Sequence, residues 1–164
     1  MNIDMTMRWM LIDKYTDIVK GKFCRGLRSI TRSEGALLDN YPCYPVMPSS
    51  LLIEMMAQVG GVLIGASIDF EREVVLAKVT DASFTHMITP PCQLTIEAEL
   101  EELGDDAGMT KCQVLRGAEV VATSHIFFGL FKALGDEGKK SMVFSKDFME
   151  SFALKQIIEA GQYV

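Results

Sequence analysis

The sequence predicts an α+β domain in which a strongly curved antiparallel sheet wraps a single buried helix. Three observations point there. The run from Leu51 to Gly65 is apolar almost all round, so a helix there has to be buried on every side. Four strand-like segments follow it in succession. The breaks between them are short, Arg116-Gly117 above all, and short breaks join antiparallel neighbours.

From the N-terminal side, Met7 to Tyr15 is mixed and reads as a short helix or an irregular lead-in. Gly21 to Arg32 alternates, with Phe23, Leu27 and Ile30 among basic residues, and reads as a strand with an irregularity at Gly26. Asp39 to Pro48 holds Pro42, Pro45 and Pro48, which excludes regular structure and fixes a shaped loop. Ser49 or Ser50 is placed to cap the helix, which runs through Met55, Met56 and Val59 toward Gly65. The periodicity then changes. Val74 to Phe84, Gln93 to Leu103, Met109 to Arg116 and Glu119 to Phe131 read as strands. Thr89-Pro90-Pro91 bends the chain between the first two, and Gly104 to Gly108 forms a looser turn. Gly135 to Lys140 is a polar linker. Phe144, Phe148, Met149, Phe152, Ile157 and Ile158 then suggest an amphipathic C-terminal helix, packed on the sheet or on a partner subunit. Residues 1–134 are thus expected to form one domain, with 135–164 as linker and helix. The open edges of such a sheet favour a dimer, with dimers assembling further as an option.

The chain has 164 residues, enough to bury a core without metal or disulfide staples. Hydrophobic residues make up 49% and charged residues 23%, which excludes a disordered tail, a fibre or a cysteine scaffold. A net charge of −6 and a pI near 4.9 argue against bulk binding to nucleic acid or an anionic membrane. No uninterrupted apolar run is long enough for a membrane span, and no secretory signal pattern is visible, so a cytoplasmic location is expected. Cys24, Cys43, Cys92 and Cys112 are widely spread, and the histidines are His86 and His125. That pattern suits reduced cysteines and predicts neither a metal site nor a cofactor. Between Arg8 and Arg32 lie seven of the 16 basic residues against Asp13 and Asp17, a local balance of +5 that leaves −11 for the rest. Such a basic face suits an acidic partner, or blunts a strand edge.

Glu54 is the most informative position. It stands alone among apolar neighbours on the central helix, where a carboxylate is costly to keep charged and suited to proton transfer. Gln58 lies one turn on, on the same face, and can hold it by a hydrogen bond. The proline-rich loop runs directly into the helix N-terminus, whose unpaired N–H groups, or the backbone N–H of Cys43, could polarise a carbonyl oxygen. A general base facing such donors fits chemistry beside a carbonyl.

The segment Asn40-Tyr-Pro-Cys-Tyr-Pro-Val-Met-Pro-Ser-Ser-Leu-Leu-Ile-Glu-Met-Met-Ala-Gln58 resembles the signature of the 3-hydroxyacyl-(acyl-carrier-protein) dehydratases of the FabA/FabZ type. That signature has a catalytic His, a Phe-Pro-Gly loop, a Pro-x-Met-Pro-Gly step and a helix bearing a catalytic acid followed by Ala-Gln. Leu11-Ile-Asp13, the stretch Ala82 to Leu94 and the run Glu119 to Phe131 extend the resemblance, which covers Arg8 to Phe131. It implies a hotdog fold, a dimer with acyl tunnels at the subunit interface, and a thioester carried on acyl carrier protein or coenzyme A. The family's catalytic acid falls on Glu54 and its catalytic His on Asn40. Its oxyanion glycine falls on Cys43 and its helix-starting glycine on Ser49. Tyr44 and Met47, on the same loop, join Cys43, Ser49 and Gln58 as candidate substrate-binding residues. Arg25, Arg28 and Arg32, with Lys20 and Lys22, become candidate docking charges for an acidic carrier.

An amide cannot exchange a proton near neutral pH, so Asn40 leaves Glu54 to do the work that an acid and a His would share. His86 and His125 lie on predicted strands and are expected to be structural or surface residues. Three readings follow: an altered dehydratase of fatty acid or related lipid biosynthesis; a hotdog thioester hydrolase in which Glu54 activates water and Asn40 orients it; and a non-catalytic acyl-binding homologue.

Overall fold

The computed structural model describes residues 10–35, 37, 43–132, 144 and 146–161. Six strands form one antiparallel sheet: β1 (Lys14–Val19), β2 (Phe23–Ile30), β3 (Glu73–Phe84), β4 (Cys92–Leu103), β5 (Ala107–Arg116) and β6 (Glu119–Phe131). Their order is β1-β2-β4-β5-β6-β3. Helix α1 (Ser49–Ser67) lies between β2 and β3 in sequence and packs against all six strands, so the sheet encloses it as predicted. The chain leaves α1 for the far margin at β3. It then returns beside β2 at β4 and closes back to β3 through two hairpins. The first hairpin is closed by Gly104 N–H donating to Ala107 O at 2.8 Å. The second turns at Gly117, whose φ of 63° suits a residue without a Cβ.

Strand alternation sorts the two faces. Leu94, Ile96, Ala98, Cys112, Val114, Ile126 and Phe128 point inward and are buried with Met55, Met56, Val59 and Leu63 of α1. Close approach of helix to sheet depends on Gly60, where an added Cβ would come within 2.7 Å of Thr110 Oγ1 and 3.2 Å of the Phe128 ring. Although α1 is long and apolar enough to cross a membrane, about two-thirds of it is buried inside the domain as the core helix. The outer face over β1, β2, β4 and β5 carries a polar network. Arg25 donates to Asp17 (3.2 Å) and Glu97 (2.8 Å), and Gln113 donates to the other Glu97 oxygen (2.7 Å). These bonds stitch β1, β2, β4 and β5 together across the solvent side.

Four features depart from the sequence expectations. First, the lead-in ends in a true strand, β1, paired with β2. A bulge between Tyr15 and Asp17 breaks its alternation, so buried Tyr15 and Ile18 stand three apart and the period of two is lost. The irregularity expected in β2 at Gly26 thus belongs to the opposite strand. Second, neither Ser49 nor Ser50 caps α1. Pro48 occupies the cap position without a side-chain bond, and both serines are exposed. Third, α1 is not buried on every side, because Leu51, Ile53, Glu54 and Gln58 are only half-buried.

Fourth, the C-terminal segment is two short helices, α2 (Lys146–Ser151) and α3 (Leu154–Gly161), separated by Ala153 at φ 51°. The second packs on β1 of the chain's own sheet, and the first packs on the second. A ladder of rings runs from Phe70 to Phe144 (5.3 Å between centroids), Phe148 (5.5 Å), Phe152 (5.1 Å) and Tyr15 (5.1 Å). Leu154 and Ile158 are buried, each contributing about 1.5–3 kcal/mol if fully removed from water. Gly161 sits against the carbonyl of Ile18. The neighbouring carbonyl, Val19 O, turns to the β2 side to accept Lys22 N–H, so by alternation α3 lies along the free margin of β1.

Candidate functional site

Pro48 O accepts the N–H groups of Leu51 (3.0 Å) and Leu52 (3.4 Å), which closes the first turn of α1. The N–H groups of Ser49 and Ser50 precede any intrahelical acceptor, and no side-chain cap takes them. The loop before the helix is tied down by Met47, which is buried and donates its N–H to Ile88 O at 2.8 Å. This bond fixes the helix start to the connection between β3 and β4. Met47 is therefore an anchor of the loop. Cys43 and Tyr44 are exposed, Tyr44 at 61%. Asn40 lies outside the described residues.

Glu54 occupies the second turn. Its Oε1 accepts a hydrogen bond from Gln58 Nε2 at 2.9 Å. Gln58 is itself oriented, because its Oε1 accepts the N–H of Leu11 at 3.0 Å. That bond turns the Gln58 amino group toward Glu54. Tyr15 places its hydroxyl 3.5 Å from the Gln58 carbonyl, at the outer limit of a hydrogen bond. Among the described residues, nothing bonds Glu54 Oε2. The structure therefore brings Glu54 and Gln58 together as expected from their spacing, with one carboxylate oxygen held by the amide. The Leu11 N–H was not foreseen, since a backbone donor leaves no mark in a side-chain pattern.

The other candidates lie elsewhere. His125 is on the outer face, with Nδ1 2.7 Å from Asp81 Oδ1 and Nε2 3.4 Å from Glu101 Oε1. His86 is exposed beside Thr85 (3.0 Å) and Glu119 (3.5 Å). Arg25 is engaged by Asp17 and Glu97 and lies over the Phe23 ring at 5.0 Å. Arg28 is engaged by Asp13 and Glu34, and Lys20 pairs with Asp69. Arg32 and Lys22 are exposed. Cys24 and Cys112 are buried. Burial pushes the Cys112 thiol up to about 12, and burial likewise pushes Cys24 well above the usual range, so neither is a nucleophile near neutral pH. Among the described residues, no cluster of His, Cys, Asp and Glu is arranged to hold a metal ion.

Residues 5–125 match the FabA-like domain. The 3-hydroxyacyl-[acyl-carrier-protein] dehydratase FabZ of Pelotomaculum thermopropionicum is 31% identical over 123 residues, 74% of this chain and 88% of that protein. FabZ of Bacillus cereus is 29% identical over 130 residues, 79% of this chain and 88% of that protein. Among solved structures, the dehydratase heterocomplex ApeI:P from Xenorhabdus doucetiae aligns with a TM-score of 0.61 at 18% identity, covering 74% of this chain and 83% of that one. An uncharacterised protein from Pyrococcus horikoshii aligns with a TM-score of 0.62 at 16% identity, covering 76% and 86%. Both share the hotdog fold predicted here.

Proposed function

Because the chain belongs to the FabA-like family and is a dehydratase-like protein of fatty acid biosynthesis, we propose that it dehydrates 3-hydroxyacyl thioesters of acyl carrier protein, with Glu54 as the proton-transfer group. The observation that carries this reading is the Glu54 carboxylate, held at one oxygen by an oriented Gln58 and without a bond to the other among the described residues. In dehydration the Cα–H bond breaks, its electron pair forms the Cα–Cβ double bond, and the Cβ–O bond breaks. Glu54 accepts the α proton and returns a proton to the departing hydroxyl, which leaves as water. The first N–H groups of α1, with the backbone N–H of Cys43, stabilise the enolate-like charge on the thioester oxygen. Asn40 orients the hydroxyl by hydrogen bonds without exchanging a proton.

Two copies pair through β3, and the enzyme works as a homodimer in the cytoplasm. Support comes from the edge itself: β3 is twelve residues long and ends the sheet. It exposes Val75, Leu76 and Phe84, beside exposed Phe127 and Phe131 of β6, an apolar margin that natural edges avoid unless paired. Arg32 and Lys22 are the docking charges for an acidic carrier. Arg25 and Arg28 are already neutralised within the chain.

The test is hydration of a 2-enoyl thioester, followed by loss of the conjugated absorbance, with a thiol reagent present in parallel. Glu54→Gln is expected to lower the rate about a hundredfold or more, with no thiol released by either protein. Asn40→His is expected to raise it. Full hydration activity in Glu54→Gln overturns the proposal. Thiol release that disappears with Glu54 instead favours a hydrolase, the second reading, which a carboxylate and an amide suffice to support. If neither reaction occurs but an acyl carrier protein or fatty acyl ligand binds, the non-catalytic reading holds.

A further inference from the structure

We propose that Arg28 is a positioning residue that fixes the Glu54 site through the segment carrying Leu11, in place of the carrier-docking role its sequence position suggests. The proposal rests on the reading of Glu54 as the proton-transfer group. The Arg28 side chain is only 17% exposed. Its Nη1 donates to Asp13 Oδ1 at 2.7 Å and its Nη2 to Glu34 Oε2 at 2.6 Å. Its Nε is buried without a hydrogen-bond partner. A docking charge needs neither burial nor a sacrificed donor. One cation bracketed by two carboxylates also presents no net positive charge to an acidic partner.

Each carboxylate does a second task. Asp13 Oδ2 accepts Ser29 N–H at 2.6 Å, and Asp13 N–H donates to Leu27 O at 2.9 Å, so this residue is clamped to β2 through both backbone and side chain. Next to it Ile12 is buried against Gly26, where a Cβ would come within 2.9 Å of the Ile12 side chain. The lead-in is thereby immobilised two residues from Leu11, whose N–H orients Gln58 and through it Glu54. On the other side, Glu34 Oε1 accepts Thr31 N–H at 3.0 Å and holds the turn that follows β2, before the chain enters the proline-rich segment. One guanidinium therefore holds both the strap that aims the carboxylate and the turn that follows β2. Bidentate or forked geometry of this kind is specific to arginine.

The experiment compares full-length wild type, Arg28→Gln, Arg28→Lys, Asp13→Asn and Arg32→Ala by amide hydrogen exchange and by the side-chain amide resonances of Gln58. Arg28→Gln and Asp13→Asn are expected to speed Leu11 N–H exchange roughly tenfold or more and to move the Gln58 amide signals toward those of free glutamine, while β5 and β6 amides stay protected. Arg28→Lys keeps the charge without the fork and gives an intermediate effect. It also stands in should Arg28→Gln fail to fold. Arg32→Ala leaves both signals as in wild type. With a short pantetheine thioester and with carrier-bound substrate alike, Arg28 variants lower kcat and leave KM for the carrier unchanged. Unaltered Leu11 exchange and Gln58 signals in a folded Arg28→Gln protein overturn the proposal, as does a rise confined to KM for the carrier. The exchange readout does not depend on turnover. Failure of the Glu54 reading, seen as full activity in Glu54→Gln, is therefore separable from failure at Arg28.

Discussion

Burial at single residues separates the inert thiols of this protein from the accessible one. Cys43 is exposed, while Cys24 and Cys112 are buried and held as neutral thiols. Labelling of the native protein at pH 8 is expected to reach Cys43 first. Cys92, half-buried and itself shifted upward by burial, follows more slowly, and Cys24 and Cys112 react only on unfolding. Prompt native labelling of Cys112 would contradict the packing around Met56. The sign of the linkage is fixed too. The folded state keeps the Cys112 proton to about pH 12, whereas an unfolded thiol loses it near the ordinary value of 9.0. This group therefore leaves stability untouched below about pH 9 and erodes it above, a slope that a denaturant series from pH 8 to 10 can measure. At this scale Glu54 stood out as a candidate because a lone charge in an apolar helix needs a reason. Gln58 was legible because four residues make one helical turn. Leu11 was not, since its contribution is an N–H that every residue but proline carries.

Among the elements, strand and helix spans followed the sequence wherever the period was clean. β3 to β6 match within two residues of their expected limits. β1 escaped notice because its bulge displaces the alternation by one. The cap of α1 was misassigned because a proline can start a helix without any side-chain acceptor. The C-terminal pattern was amphipathic throughout, and nothing in it marks the break at Ala153. These two helices extend past the region matched by the family and are joined to the domain by the ring ladder and by Leu154 and Ile158. Leu154→Ala is expected to cost about 2–5 kcal/mol, in the range for a fully buried leucine. It should also release hydrogen-exchange protection in β1 ahead of β5. A loss under about 0.5 kcal/mol, the level of an ordinary surface substitution, would mean that α3 is a passive attachment.

For the whole molecule, the sheet has two unlike margins. β3 ends the sheet with Val75, Leu76 and Phe84 exposed, while β1 carries α3. The homodimer proposed above predicts that Leu76→Lys with Val75→Glu shifts the chain to monomer by light scattering at micromolar concentration, with the monomer still folded by circular dichroism. An unchanged mass would place the contact elsewhere. The enclosing architecture was readable from a helix with no polar side wide enough to face water, followed by four strand-like segments in succession. The handedness of the margins was not, because covering β1 depends on a segment whose partner in space no local pattern names.

Alignment of α3 with Ile18 also limits growth. Should two copies pair through β3 as proposed, the composite sheet would end at both extremities in a β1 strand that carries its own α3. Strand-by-strand propagation then has nowhere to continue, so a protein that exposes a long greasy border can still refuse to polymerise into fibrils.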